Sequence, residues 1–450
     1  MYHKLLFYLK DFLLGSYSYS LIKYFKQLED NKKEIEIVKR NKLLKVLRWA
    51  YDTVPFYRKL MSKLKLNPHY DDPYYVLSKL PIINKNIVRS NFPDLISRNV
   101  WFKMPAQTSG STGTPLTVYH DLSVIRAGIT SFYYGLSWYG YNLGDKIIRL
   151  WGRRPVVSRT SIIKNFLSNY LSNVYDLNAH AMNEKNMLNY YYILRKEKPK
   201  VLYGYVSSLF LLGRFIKNKD LEPPPIGFIV TTAEVLNKFQ RESLISSFES
   251  KVYDQYGSVE IPSIAFECPF HEGMHVMENR VILELLKDGC EVDNGEMGTV
   301  VVTDLDNFVM PLIRYNLEDI AEKKDSTCSC GRRLQLIGNI VGRTSDIIIG
   351  LNGNRVHGEF FSHLIESSGI AQKNVVEKFQ VIQKSKEKII FKIKSRIPLS
   401  EEDFYMLTTL IRRHLGNIEI IYQQVDDIEP HPSGKYRFTI SEVDINAENL

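Results

Sequence analysis

A chain of 450 residues with 44% hydrophobic and 24% charged residues is long enough for two or three domains with their own cores, and it reads as globular and soluble. The formal charge of +9 suits anionic ligands or surfaces, yet lysines and acids are interleaved without an arginine-rich run or aromatic-basic motif, so nucleic acid is not an expected partner. Four cysteines in this length exclude a disulfide scaffold and point to a reducing, cytoplasmic setting with metal binding.

At the N-terminus, Leu5-Leu6-Phe7-Tyr8-Leu9 is too short for a secretory signal, is interrupted by Lys10-Asp11, and has no small-residue cleavage site. No stretch approaches the roughly 20 apolar residues that span a bilayer. Leu5, Leu9, Phe12 and Leu13, with Lys4 and Lys10 nearby, read first as a helix docked on the core; the alternative is an amphipathic helix making peripheral membrane contact. Up to about residue 100 the pattern is helical, with Ile35, Val38, Leu43, Leu44 and Leu47 near helical spacing and a break at Pro55.

Thr108-Ser109-Gly110-Ser111-Thr112-Gly113-Thr114-Pro115 follows, and Leu116-Thr117-Val118-Tyr119 after it is of strand type. A run this rich in hydroxyls and glycines can wrap a polyphosphate with backbone N–H groups and side-chain donors; a solvated linker is the alternative. It is not a P-loop, because Gly113 precedes Thr114-Pro115 rather than Lys-Ser/Thr. From about 100 to 340, strands at 146–151, 226–231, 251–256, 281–286 and 299–303 alternate with helical stretches, which predicts an α/β architecture with ligands at the strand ends. After about 345, the pattern predicts a hairpin (379–382 and 388–393), a helix over 401–414 and a strand over 418–425, a small α+β domain.

Four more segments place a charge beside glycine or a turn: Tyr256-Gly257-Ser258-Val259-Glu260, Pro311 to Asp319, Gly342-Arg343-Thr344-Ser345-Asp346, and Pro432-Ser433-Gly434-Lys435-Tyr436-Arg437. Individually these are ordinary turns or surface ion pairs. In this order, together with Val54-Pro55-Phe56-Tyr57-Arg58, Leu80-Pro81-Ile82 with Lys85, and Thr231-Thr232-Ala233-Glu234 ahead of Arg241, the chain resembles the adenylate-forming superfamily. Within it, the chain is similar to the phenylacetate-CoA ligase-like branch, including relatives associated with capsular polysaccharide genes. The resemblance implies an α/β large domain, with a helical part at 1–100 and an adenylate-binding part at 101–343. It also implies a small, mobile α+β domain at 344–450.

The implied reaction joins a carboxylic acid to the α-phosphate of ATP; coenzyme A, or an amine such as an amino sugar or amino acid, then displaces AMP. A nucleotide-binding scaffold without catalysis is a lower-ranked reading. By the resemblance, Thr108, Ser109, Gly110, Ser111, Thr112, Gly113 and Thr114 grip the pyrophosphate side of ATP, Tyr256 and Gly257 belong to the ATP site, and Glu260 holds Mg²⁺. Asp319 accepts from the ribose hydroxyls, Arg343 lies near the ribose and the domain boundary, and Lys435 sits between the carboxylate and the phosphate. Departures from the family pattern are Glu318 and Leu317, where Gly and Thr are usual before the Asp, Ser345 at a hinge position often held by Asp, and Leu116 after Pro115. The acyl pocket in such folds lies between the strand ends and the Tyr-Gly loop, making Trp151, Tyr203, Tyr205 and Thr232 candidates, with core packing as the alternative.

Cys268, one histidine, Cys328 and Cys330 supply the four N/S ligands of a closed structural zinc site; reduced, unligated thiols are the alternative. His271 and His275 both compete, and by the resemblance Gly273-Met274-His275 is the better match. Cys290 reads as an ordinary small side chain.

Overall fold

The computed structural model describes all residues except 1, 14–16, 109–115, 153–166, 180, 326, 344–347, 357–359, 362–363, 366–375, 430–438 and 444–450. The chain divides into two compact units, one of 1–233, 243–317 and 321–340, the other of 234–242, 318–320 and 341–450.

The first unit opens with helices α1 (Tyr2–Leu13), α2 (Ser18–Leu28), α3 (Lys32–Thr53), α4 (Pro55–Lys63), α5 (Pro73–Lys79) and α6 (Lys85–Ser90). Pro55 does end the preceding helical pattern, but as the first residue of α4, where its missing N–H costs nothing. Leu43, Val46, Leu47, Ala50, Tyr57 and Met61 of α3 and α4 are buried in one core with Val281, Val300, Val302 and Leu312. Tyr57 shows why the Val-Pro-Phe-Tyr-Arg segment matters. Its buried hydroxyl donates to the Pro311 carbonyl at 3.0 Å and accepts from the Ile313 N–H at 3.1 Å, fixing the loop that leads into the later strand carrying Tyr315.

A hairpin of β1 (Met104–Gln107) and β2 (Thr117–His120) is followed by α7 (Leu122–Ser137). A twelve-stranded sheet then takes β3 (Ile147–Trp151), β4 (Val174–Asn178), β5 (Val201–Tyr205), β6 (Phe228–Thr232), β7 (Val252–Tyr256), β8 (Ala265–Glu267) and β9 (Met274–Val276). It is completed by β10 (Val281–Lys287), β11 (Cys290–Glu291), β12 (Met297–Asp304), β13 (Tyr315–Lys323) and β14 (Leu336–Arg343). Its order is β11-β10-β12-β13-β14-β9-β8-β7-β6-β5-β3-β4. The run β4-β3-β5-β6-β7 is parallel, and pairing turns antiparallel from β7 to β8. The carboxyl ends of the parallel strands, beside this switch, are where ligands bind in such sheets.

Gly204 lies in the middle of this run, opposite Leu150 of β3. A Cβ there would stand 2.8 Å from the Leu150 carbonyl oxygen, a backbone atom that cannot step aside. Gly204→Ala is therefore expected to destabilise the first unit by about 1–3 kcal/mol in denaturant unfolding, whereas unchanged stability would mean that β3 and β5 can separate freely.

In the second unit β17 (Val376–Ser385) and β18 (Lys388–Ser395) form an antiparallel hairpin, flanked in parallel by β19 (Glu419–Gln424) and β20 (Thr439–Ser441); the short pair β15 (Ile348–Ile349) and β16 (Arg355–Val356) precedes them. A helix at Glu401–Leu415 starts from a capping box between Ser400 and Asp403. It packs Leu407, Ile411 and Leu415 against Val381, Ile389 and Phe391 of the hairpin.

The expected α1 needs correction. It is a helix and it does dock, but through Phe7, at 4% exposure, and Asp11, at 8%, while Leu5, Leu9 and Phe12 face outward. Ser18 explains the choice: its N–H and hydroxyl donate to the Asp11 carboxylate at 2.7 and 2.6 Å, which pins that polar side of the helix inward. The Leu13 side chain lies outside the described set.

Candidate active site and metal centre

Glu260 stands in the loop after β7, at the switch point, and is buried at 4% exposure. Its carboxylate accepts from the Tyr315 hydroxyl at 3.0 Å, and its carbonyl oxygen is 3.1 Å from His120 Nε2. Gly257 is required by close approach, since a Cβ would lie 2.7 Å from the Ser263 N–H nitrogen and 3.0 Å from Gln255 Nε2. The Ser258 N–H donates to the Ile261 carbonyl at 3.0 Å, and the Ile261 N–H returns to Ser258 Oγ at 3.0 Å, so the Tyr-Gly-x-x-Glu turn is locked from within. A fixed, buried carboxylate oxygen of this kind is a hard ligand suited to Mg²⁺. His120 and the Tyr315 hydroxyl are partners of Glu260 that sequence reasoning missed. Burial holds the His120 imidazole below the usual histidine range, so it is neutral near pH 7.

The loop 109–115, with Ser109, Gly110, Ser111, Thr112, Gly113 and Thr114, lies outside the described residues. Its base is described: the Thr108 N–H donates to the Leu116 carbonyl and the Leu116 N–H to Thr108 Oγ1, both at 2.9 Å. The hydroxyl-rich run thus links β1 to β2 along the chain.

Trp151, Tyr203, Tyr205 and Thr232 come together at the carboxyl ends of β3, β5 and β6. The Trp151 ring stacks on Tyr203 at 5.5 Å and lies 4.6 Å from Tyr205. Tyr203 and Thr232 both donate to Gln255 Oε1, at 3.0 and 2.8 Å. They do not line a cavity that lies in the same unit. That cavity, ≈390 Å³, runs between α7 and α1, with Ile125, Ile129 and Phe132 on one wall and Phe7, Lys10 and Asp11 on another. Phe132 joins the two groups, packing edge-on against Tyr203 at 5.1 Å. His120 and Pro262 bring one side of the cavity next to Glu260; Arg149, Ser168 and Ser172 make the opposite polar side. There Lys10 donates to the Ser168 carbonyl at 3.1 Å, to Ser168 Oγ at 3.0 Å and to Ser172 Oγ. Desolvation, helped by nearby Arg149, holds the Lys10 ammonium below the usual lysine range.

Asp319 lies half-buried on β13, four residues after Tyr315. Before it, Glu318 has φ +64°, the left-handed conformation that glycine adopts freely. The backbone shape usual for a Gly is kept here by a residue that strains to hold it. Arg343 ends β14, and Lys435 lies outside the described residues. Arg314 is an anchor: its guanidinium holds Glu284 at 2.8 and 3.1 Å and the Leu80 carbonyl at 2.8 Å, tying the Leu-Pro-Ile segment to the sheet.

Cys268, His275, Cys328 and Cys330 converge, with all four ligand atoms within 4.8 Å of one another. Cys268 Sγ is 3.2 Å from Cys328 Sγ, and His275 Nε2 is 3.1 Å from Cys330 Sγ. A tetrahedron with Zn–S of about 2.3 Å has S···S edges of about 3.8 Å, which lies between the 3.2 Å Cys268–Cys328 separation and the 4.8 Å that contains all four ligand atoms. The segments carrying the ligands are cross-tied: Lys324 Nζ donates to the Glu272 carbonyl at 2.8 Å and the Ser329 N–H to Glu272 Oε2 at 3.0 Å. Burial pushes the Cys268 and Cys328 thiols up and the His275 imidazole down to about 4; Cys330 is also desolvated, but the Arg332 N–H and the Cys328 thiol hold it below the usual range. His271 is excluded from the cluster, since its Nδ1 meets Glu267 Oε1 at 2.9 Å and its ring stacks on Tyr253 at 5.4 Å. Cys290 is exposed on β11, away from the cluster.

Residues 348–442 match the CapK C-terminal domain. The chain is 24% identical over 395 residues to the phenylacetate-coenzyme A ligase of Thermus thermophilus, covering 83% of this chain and 83% of that protein. It is also 24% identical over 374 residues to Protein CapK of Staphylococcus aureus, covering 82% of this chain and 80% of that one. Among solved structures, 2-hydroxyisobutyryl-CoA ligase in complex with the adenylate R3-HIB-AMP aligns with a TM-score of 0.72 at 16% identity, covering 92% of this chain and 90% of that chain. The chain has the fold of the adenylate-forming ligases, with a large α/β part and a small C-terminal domain.

Proposed function

We propose that this chain activates a carboxylic acid with ATP. The carboxylate oxygen attacks the α-phosphorus, the bond to the pyrophosphate oxygen breaks, and the acyl adenylate forms; the thiol of coenzyme A then displaces AMP to give a thioester. The observation that carries this reading is the buried Glu260 carboxylate, held by Tyr315 at the switch point next to a cavity of ligand size.

Glu260 would hold Mg²⁺, which neutralises phosphate charge when bound. The 108–114 run would supply backbone and hydroxyl donors to the β- and γ-phosphates, with Tyr256 and Gly257 bounding the nucleotide, Asp319 accepting from the ribose hydroxyls and Arg343 near them. Lys435 would stand between the two reacting anions. The acyl group would enter the cavity beside His120, with Trp151, Tyr203, Tyr205 and Thr232 behind its Phe132 wall. Cys268, His275, Cys328 and Cys330 would hold a structural Zn²⁺. The setting is cytoplasmic, as the unbridged thiols favour.

The test is acid-dependent ATP/pyrophosphate exchange across a panel of aryl and aliphatic acids. Exchange with none of them, in protein that binds ATP, would leave only a scaffold. A second reading keeps the adenylate but passes the acyl group to an amine, an amino sugar or amino acid of surface polysaccharide assembly; the CapK match over 348–442 favours it. Mass spectrometry of products formed with coenzyme A or with amines separates the two. Glu260→Gln, which keeps the shape and removes the charge, is expected to cut exchange about 10- to 100-fold and to raise the Mg²⁺ needed. An unaltered rate and Mg²⁺ dependence would take Glu260 out of the site.

A further inference from the structure

Helix α1 turns its apolar stripe to the outside. Leu5, Tyr8, Leu9 and Phe12 recur at i, i+3, i+4 and i+7 and are 69%, 40%, 52% and 66% exposed. The stripe continues onto α2: Tyr8 meets Tyr19 edge-on at 5.9 Å and Phe12 meets Tyr17 at 6.4 Å, both tyrosines being exposed, as are Leu21 and Tyr24. Exposed Leu167 and Tyr170 belong to the segment that Lys10 ties to α1 through Ser168. Single exposed apolar residues are ordinary, but a contiguous face of this kind marks a binding surface.

Charge and composition select its partner. Residues 2–28 carry Lys4, Lys10, Lys23 and Lys26 against a single acid, Asp11, which is buried and held by Ser18. Lys10 turns inward to Ser168 and Lys4 pairs with Asp145 at 3.8 Å, so the positive charge of the outer face comes from the exposed Lys23 and Lys26. A cationic face would repel a second copy of itself, whereas anionic headgroups attract it. The aromatic side chains are mostly tyrosines, whose rings enter the headgroup boundary while their hydroxyls stay wet. No described helix is long and apolar enough to cross a membrane, so the helix lies along the surface.

We propose that the outer face of α1 and the start of α2 docks this protein on an anionic lipid bilayer. The test is co-sedimentation of the full chain with vesicles of phosphatidylcholine alone and with vesicles holding about 30% phosphatidylglycerol. Binding is expected to be about tenfold or more stronger on the anionic vesicles and to weaken as salt rises. The variant Leu5→Ser/Leu9→Ser/Phe12→Ser should lose about tenfold in binding with its melting temperature and acid-dependent exchange unchanged, because these side chains already face water. Lys23→Glu/Lys26→Glu should lose binding to the anionic vesicles alone. Equal binding to both vesicle types, no binding to either, or a triple variant that binds as well as the parent would overturn the proposal. So would a parent dimer in ultracentrifugation that the triple variant converts to monomer, since a second copy would then cover the face.

Discussion

Replacing Lys435 by Ala is expected to lower acid-dependent ATP/pyrophosphate exchange by about 10³-fold. The reaction brings a carboxylate to an anionic phosphate, and the two repel until a cation stands between them. A unit charge about 4 Å away, at an effective dielectric constant near 20, contributes about 4 kcal/mol, and each 1.36 kcal/mol is tenfold in rate. Lys435→Arg should restore only part of the rate, because a planar guanidinium does not occupy the place of a compact ammonium. ATP affinity should change little, since the charge is needed chiefly when the two anions meet. Full-rate exchange by the Ala variant would make Lys435 a solvated turn residue.

Removing the zinc proposed for the Cys268, His275, Cys328 and Cys330 cluster is expected to produce the largest change in stability. Elemental analysis should find one zinc per chain, and a thiol reagent should modify Cys290 alone, since that side chain is exposed and apart from the cluster. After chelation Cys268, Cys328 and Cys330 should react as well, and melting should fall by about 5–15 °C. The fall is bounded because β8 and β9 remain paired with each other and β9 with β14; the metal would join segments that already meet. Cys330→Ser should reproduce the loss without chelator, whereas His271→Ala should keep the zinc, its imidazole being engaged by Glu267. Four reactive thiols and no zinc in the freshly purified protein would instead make the cluster a set of reduced cysteines.

The parallel strands were legible where β-branched and aromatic residues stand in short runs: 146–151, 226–231 and 251–256 fall on β3, β6 and β7, and the hairpin at 379–393 on β17 and β18. Strand β5 was not, because Val201 to Tyr205 lacks a turn signal before the helix at Val206–Asn218 that continues from it. The convergence of Cys268, His275, Cys328 and Cys330 could be read because cysteine is scarce and its chemistry narrow. Choosing between His271 and His275 depended on what else each ring touches, which spacing does not encode. His120 and the Tyr315 hydroxyl on Glu260 escaped for the same reason, being 140 and 55 residues away in sequence. Helix α1 was inverted because periodicity finds an apolar stripe without saying which face has a polar partner; the Asp11 contact with Ser18 decided it. At Glu318 in β13 a left-handed φ of +64° is held without a glycine, so a pattern search that demanded Gly would pass over this chain.

The inner side of α1 has another consequence. Phe7, Lys10 and Asp11 make part of the cavity wall, while the remaining lining comes from His120 of β2, α7, the β3–β4 region and the Glu260 loop. With the acyl group in this cavity, as proposed, substitutions at Phe7 or Asp11 would reshape its wall without touching a strand of the sheet, so preference for one acid over another would change while Glu260 stays in place.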